Sequence, residues 1–471
     1  MTDRGSVVDE FDGVHFGDRR LEHRLRRVVS AMEANPQASF VEQAGDVASL
    51  EALYRFLANE RVEPERIFEA HARKTAQRAA ERECVLVVHD TTEFRFGGAK
   101  YREGLGRVST DKKDGFLAHY LICLGLDGEP LGTLDLHAWS RLDTKKRPKA
   151  KGRLKDPERE SLRWIESAER VAERLAGRVS SIHVMDREGD QFELFAMLLD
   201  QGERFVIRMG HDRRLSKGRG KDGEPRLNEV LAAGPAMLTR EVEVGRRERD
   251  PSTKKRATFP PRAARRTRFE VRAKRLELHR SHMQCTHLPQ VLELNFIEAR
   301  EVDSPPNASP IVWRIVTTEP IETQAEVLNV IDIYRRRWLI EEFFKAIKSG
   351  CNFESHQLES VKRLLVALVL ESTIAWQLLR LRHVARHQPD APGEPLLTTD
   401  QLEALSKIRR VRGEPPLGLT VTDVIDELAR LGVHIPANGP PGWALLKRGL
   451  RKLDMLAEGI RLAHAALGVD L

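Results

Sequence analysis

The sequence predicts an α/β protein: a mixed sheet flanked by helices, carrying a β-rich insertion, with helical segments at both ends. Three observations predict it. Short apolar runs that finish in a carboxylate, VLVVHD (85–90) and SIHVMD (181–186), alternate with amphipathic helical stretches, the texture of a sheet with helices on its faces. From about 211 to 310 this alternation gives way to Arg-rich, Pro-punctuated strand patterns. Residues 1–63 and those beyond about 386 show helical patterns alone.

Taken in order, LEHRLRRVVSAMEANP has helical periodicity and stops at Pro36, whose missing N–H cannot continue the ladder. DVASLEALYRFLANE follows behind Asp46 as an N-cap, and EPERIFEAHARKTAQRAAERE, from about 64 to 83, is one long helix with a polar face. VLVVHD then reads as a buried strand, and GFLAHYLICLGLDGEPLGTLDLHAWS (115–140) as two strands about an Asp-Gly turn. A basic loop leads to helix ERESLRWIESAERVAERLAG (158–177), strand SIHVMD, helix QFELFAMLLDQG and strand RFVIRMG (204–210). The insertion holds the strand patterns EVEV, FEVRAKRLEL and VLELNFIEAR. IVWRIVTTEP (311–320) and one long helix from Glu322 through Lys348 restore the α/β texture. LLVALVLESTIAWQLL (364–379) is the most apolar run, yet Glu371 and Gln377 break it short of membrane-spanning length, which predicts a buried helix. After a Pro-containing link come helices LTVTDVIDELARLG and WALLKRGLRKLDMLAEGIRLAHAALG. The chain thus divides into 1–63, 64–385 with its insertion at about 211–310, and 386–471.

At 471 residues, 41% hydrophobic and 32% charged, the composition suits a soluble globular protein too long for one small core. The net charge of +7 is modest, but positive charge concentrates in RLDTKKRPKAKGRLK (141–155), RRERDPSTKKRATFPPRAARRTRFEVRAKR (246–275) and GDRRLEHRLRR (17–27). Such clusters fit a polyanion, nucleic acid foremost, with a solvated surface as the alternative. Cys84, Cys123, Cys285 and Cys351 have no paired spacing, so no disulfide framework is expected and a reducing cytoplasm fits. HRSHMQCTH (279–287) has zinc-binding residue types without a usual ligand spacing. No apolar run follows a basic start, so no signal peptide is expected.

IDIYRRRWLIEEFFKAIKSG (331–350) carries the chemistry. On an uninterrupted helix Tyr334, Arg337, Glu341, Lys345 and Lys348 share one face, while Ile333, Leu339, Ile340, Phe343, Phe344 and Ile347 lie largely outside it as core residues. A carboxylate among cations is either a solvated face held by weak ion pairs or part of a site. Asp90 and Asp186 favour a site, because each stands where a buried strand runs out; a sheet fixes a side chain there and the next loop leaves access. Turn formation is the alternative at each position. Three converging carboxylates raise one another's pKa unless a hard cation neutralises them, and Mg2+ is the natural partner. Two such ions, roughly 3.5–4 Å apart, serve phosphoryl transfer on DNA. His89, beside Asp90, is expected to pack, since strand alternation points it away from the Asp90 face.

The order Tyr334, Arg337, Glu341, Lys348 resembles the tyrosine-arginine-glutamate-lysine signature of the DDE-type cut-and-paste transposases of the IS-four group. HDTTEF around Asp90 and DREGD (186–190) resemble the family's two aspartate segments, and GDRR (17–20), YRF (54–56) and ESLRW (160–164) fall in the expected order. The resemblance therefore covers essentially the whole chain. It implies a ribonuclease-H-like catalytic domain over 64–385, interrupted by the β-rich insertion, with an N-terminal helical domain that grips DNA ends and a C-terminal helical dimerisation domain. It further implies that Asp90, Asp186 and Glu341 are catalytic and hold two Mg2+ ions, with Mn2+ able to substitute. Tyr334, Arg337, Lys345 and Lys348 would position strand ends, Arg208 would contact DNA near the site, and Arg20, Arg24 and Arg55 would contact the transposon end. Trp313 stands where the family inserts a tryptophan against a flipped base; a core or strand tryptophan is the alternative. The implied partners are double-stranded DNA, both end and target, and a second copy in a synaptic homodimer, with no membrane and a bacterial cytoplasmic, nucleoid-associated location. Gln357, where a relative carries arginine, leaves end recognition open. The expected activity is end binding, metal-dependent cleavage, hairpin formation and resolution, and strand transfer. Two alternatives stand: a host-adopted nuclease of the same fold, and a non-catalytic DNA-binding regulator, which would gain nothing from anions facing phosphate.

Overall fold

Among the described residues four α-helices precede the sheet, three of them started by side-chain caps. α1 (Arg19–Ala34) is capped by Asp18, α2 (Phe40–Ala44) by a Ser39–Glu42 capping box, and α3 (Val47–Ala58) by Asp46, which accepts from the Ser49 N–H; α4 (Pro64–Ala80) opens on proline. In this computed structural model the described residues are 7–97, 102–108, 114–141, 159–175, 177–215, 225–247, 261–280, 287–306, 308–397, 399–415, 420–435 and 443–467. Most of the basic stretch 141–155, part of 246–275 and most of 279–287 lie outside them. The apolar faces of the first helices, through Leu25, Val29, Phe56 and Leu57, join the same core as the central sheet.

Among the described residues the sheet has ten strands: β1 (Cys84–Phe96), β2 (Gly106–Arg107), β3 (Asp114–Gly125), β4 (Pro130–Trp139), β5 (Ser180–Met185), β6 (Arg204–Arg208), β7 (Leu238–Val244), β8 (Arg265–His279), β9 (Val291–Glu301) and β10 (Val312–Thr317). Their order is β2-β3-β1-β5-β6-β10-β9-β8-β7, with β4 also on β3. Only β1–β5 and β5–β6 pair in parallel; these two junctions are bridged by α5 (Arg163–Leu175) and α6 (Phe192–Asp200), as parallel strands require. The β-rich insertion does not stand apart from the sheet. After the short helix α7 (Leu227–Ala232), β7–β9 extend the sheet outward from β10, Val312 facing Arg300 and Thr317 facing Asn295.

Behind the sheet lie α8 (Gln324–Arg336), α9 (Trp338–Lys345) with a π-helical turn at Ala346–Gly350, and α10 (Val361–His387). By length and composition α10 alone among the described helices is apolar enough to cross a membrane, but it is buried in the protein as expected. Ser372 meets the Tyr120 hydroxyl at 2.6 Å, Trp376 donates to the Pro130 carbonyl at 2.9 Å, and Glu371 is bonded to His356. The C-terminal helices α11 (Thr399–Val411), α12 (Val421–Leu431) and α13 (Trp443–Leu467) pack about Leu405, Val424, Leu428 and Leu453 as a separate core. The first of these is absent from the sequence reading, which placed a link there.

Two expectations need correction. Asp90 does not end its strand: β1 runs on to Phe96 because its outer neighbour β3 continues alongside, with Phe96 opposite Asp114. What stops is β5 on the other side, whose last pair with β1 is Val88–Val184. The expected single helix from Glu322 to Lys348 is broken at Arg337, which joins α8 to α9, and it ends in a wider turn. Tyr334, expected on an open face, is 5% exposed.

Candidate active site

The site forms where the parallel pairing of β1 and β5 runs out. Continuing the register past Val88–Val184 by two residues on each strand brings Asp90 level with Asp186, on strands about 4.8 Å apart. Asp186 leaves β5 and caps a 3-10 turn (Arg187–Gly189), accepting from the Glu188 N–H at 2.8 Å. The turn is pinned by Asp190, whose side chain is fully buried and accepts from the Gly210 N–H (2.8 Å), the His211 N–H (2.9 Å) and Arg213.

Glu341, the third carboxylate, arrives on α9. Arg337, at the break in the helix, joins it to the first: Nη1 donates to Asp90 Oδ2 at 2.7 Å and Nη2 to Glu341 Oε1 at 2.7 Å. Burial pushes the Asp90 carboxyl up to about 7; Arg337 opposes the rise, while Asp186 and Glu341 add to it. Burial works against the charge on Arg337, but Tyr334, Asp90 and Glu341 outweigh it and hold the guanidinium protonated. Asp186 and Glu341 thus both act on Asp90, and a cation bridges Asp90 to Glu341.

The donor set is chemically right for a hard divalent cation: oxygen ligands only, one of them costly to ionise without a neighbouring positive charge. As the side chains stand, no group of three among the described residues is arranged to hold a metal. Arg337 supplies the positive charge in that place.

The remaining expected residues divide. Tyr334 hydrogen-bonds Arg208 at the end of β6 and meets the Trp313 ring edge-on at 5.7 Å. Arg208, Trp313, Tyr334 and Arg337 line a cavity of about 810 Å3, with Arg187 and Arg265. Trp313 is half-buried on β10, packed against the core on one side and facing this cavity. Lys348 lies with its ammonium 5.4 Å from the Phe94 ring, and burial lowers its pKa. Lys345 points elsewhere: it pairs with Glu342 at 3.2 Å and stacks 5.0 Å over Trp338. Arg20 and Arg55 are exposed on α1 and α3, Arg55 paired with Glu51 at 3.0 Å, and Arg24 is half-exposed on α1. His89 packs as expected, fully buried, bonded to His183 at 2.8 Å and stacked on Trp164; burial and the neighbouring histidines hold it neutral.

Residues missed by the sequence reading hold the acids in place. Arg163 donates to Thr91 Oγ1 at 3.2 Å and to the Glu160 carbonyl at 2.6 Å, and pairs with Glu188, so it grips the residue after Asp90 and the turn after Asp186 together. ESLRW (160–164) contains it but gave it no role, because its partners Thr91 and Glu188 are 72 and 25 residues away.

Residues 4–62 match the family model described as transposase DNA-binding, and residues 164–378 match the transposase DDE domain. The second match contains Asp186 and Glu341; Asp90 lies outside both and is joined to them by the geometry above. A DNA-binding segment followed by a DDE domain on a mixed α/β fold defines the class: a DNA transposase, an enzyme that cleaves DNA and transfers strands. The chain accordingly carries a DDE transposase domain of the ribonuclease-H-like kind, a type that works with divalent metal ions, behind a transposase DNA-binding domain.

Proposed function

We propose that the chain is a cut-and-paste transposase of the IS-four group, close to the transposase of transposon five, that binds terminal inverted repeats and performs cleavage, hairpin formation and resolution, and strand transfer as a homodimer. The observation that supports this reading is the Arg337 bridge from Asp90 to Glu341, with Asp186 acting on Asp90 as well, at the edge of a basic, aromatic-lined cleft that Arg337 also lines.

Asp90, Asp186 and Glu341 would hold the metal. A bound pair of Mg2+ ions supplies activation of water or a DNA 3′-hydroxyl and charge stabilisation at the leaving oxygen. The chain's own residues do the rest. Arg337 neutralises Asp90 and Glu341, and its planar fork would suit a phosphate of the DNA backbone equally well. Arg208 and Lys348 add positive charge for strand ends. Tyr334 braces Trp313, whose ring faces the cleft and can stack on an unpaired base.

The test is incubation of the protein with candidate end DNA and Mg2+, followed on a denaturing gel for hairpin-ended products. Asp90→Ala, Asp186→Ala and Glu341→Ala should each abolish cleavage and leave end binding intact; cleavage by the triple variant would refute the assignment. Trp313→Ala should impair hairpin formation by about ten-fold or more while first-strand nicking changes little, consistent with a stacking contribution of about 1–3 kcal/mol. Equal loss of both steps would remove the stacking role.

A further inference from the structure

A second cavity, of about 710 Å3, adjoins the cleft, and Arg240, Trp313, Arg335 and Trp338 line both. It runs between α8–α9, the last turns of α10 and the β3–β4 turn at Asp127–Gly128. Its walls hold Arg240, Arg335, Arg336, Arg382 and Arg386 against three carboxylates, Asp127, Asp332 and Glu342. Asp332 takes up Arg240 (2.9 Å) and Arg335 (3.2 Å), and Glu342 takes up Arg382 and Lys345. Two guanidiniums remain. Among the described residues neither Arg336 nor Arg386 forms an ion pair with a carboxylate. Arg336 shares the groove wall with Gly128, and Arg386 stands near the like charge of Arg382, which Glu342 offsets in part, an arrangement that a bound anion relieves further. Trp338, 52% exposed, stands between the two cavities.

We infer that this groove is a second DNA track, occupied by the duplex that receives the cut ends; the inference rests on the transposase reading above. The groove has more cations than carboxylates, and Asp90, Asp186 and Glu341 are not among its lining residues, so it suits a phosphate backbone that is held and not cut. It opens directly onto the cleft at Trp313, and a receiving duplex must lie against the acids for its phosphorus to meet a 3′-hydroxyl held there. Bonds from guanidinium to phosphate fix a duplex in place without reading its sequence, as a strand-accepting duplex of arbitrary sequence needs.

The experiment uses the full chain and its Arg336→Gln, Arg386→Gln and double variants, with thermal unfolding as the check on folding. Three readouts are taken: cleavage of end DNA, transfer of pre-cut ends into a plasmid, and salt dependence of binding to a random-sequence duplex. In the double variant, cleavage should stay within about two-fold of the parent while transfer falls about ten-fold or more, and the log–log salt slope should become shallower by about two, near 0.9 for each phosphate no longer neutralised. Arg336→Lys with Arg386→Lys should retain transfer. Unchanged transfer, or cleavage and transfer falling in parallel, would overturn the groove assignment. A parent protein that cleaves no end DNA would instead sink the transposase reading; the salt slope then decides the groove alone, a shallower slope in the double variant supporting a DNA track and an unchanged one rejecting it.

Discussion

Arg163 shows how little of a site's support is written locally. Its guanidinium lies 5.3 Å from the Trp139 ring and 5.4 Å from the Trp164 ring, its side chain only 10% exposed, and its three bonded partners come from three separate segments. Lysine can replace the charge but not a planar fork that reaches Thr91, Glu160 and Glu188 at once. Arg163→Lys should therefore lower kcat for end cleavage by about ten-fold, since each bond to a charged group is worth about 1.5–3 kcal/mol, with end-DNA affinity little changed; Arg163→Met should do worse. A fall in unfolding temperature with kcat preserved would make Arg163 a packing residue only. That Asp186 and Glu341 come near Asp90 was legible, because VVHD, HVMD and the charged helix each show a carboxylate out of place beside apolar neighbours. Arg163 was not, because ESLRW reads as the start of any amphipathic helix.

At the scale of elements, periodicity located nearly every strand and helix but not their breaks. Periodicity drew one straight helix through 322–348, but it breaks at Arg337 and ends in a π turn; Lys345, still one turn from Glu341, directs its side chain to Glu342 and Trp338. Asp90 looked terminal because VLVVHD ends in polar TTE, yet pairing with β3 carries the strand onward. Both errors arise from tertiary packing that overrides local pattern. Helix packing gives a test of its own at Gly449, in the middle of α13. An alanine in an exposed helix usually gains about 1 kcal/mol over glycine. Here an added Cβ would sit 1.7 Å from the Leu428 carbonyl oxygen of α12, a backbone atom that cannot rotate away. Gly449→Ala should reverse the usual sign, destabilising the C-terminal helices by about 1–3 kcal/mol, visible as a lower-temperature transition or faster amide exchange in α12 and α13. A stabilised variant would show that the two helices do not approach so closely.

Across the whole molecule, the N-terminal segment is locked to the sheet by a buried polar knot. Glu10, on the 3-10 turn Val7–Phe11, meets His71 Nδ1 at 2.6 Å and Arg78 at 2.7 Å; His71 Nε2 accepts the Thr133 N–H at 3.1 Å, and Arg78 donates to the Leu131 carbonyl at 2.7 Å and covers the Trp376 ring. With Nε2 accepting, the proton sits on Nδ1 and is donated to Glu10. Burial alone would raise the Glu10 pKa, but the bonds to His71 and Arg78 outweigh it and hold the carboxyl at about 2. Burial lowers the His71 pKa, against the pull of Glu10. Both groups bind more protons when unfolded, so both make stability fall as pH falls. His71 contributes a loss that begins as pH drops through its unfolded value near 6.5. Glu10 contributes one that is absent above its unfolded value near 4.5 and complete near 2, on the order of 3 kcal/mol. Urea midpoints measured from pH 7 to pH 3 should decline through both windows. Glu10→Gln should start less stable at pH 7 and show a flatter decline below pH 4.5, because it has no carboxylate left to protonate. Since the knot ties the DNA-binding segment to β4, the strand that pairs with β3, its acid loss should also release end-DNA binding before the sheet unfolds. A variant with the parent's stability at pH 7 and an equally steep acid limb would show that Glu10 does not hold the two parts together.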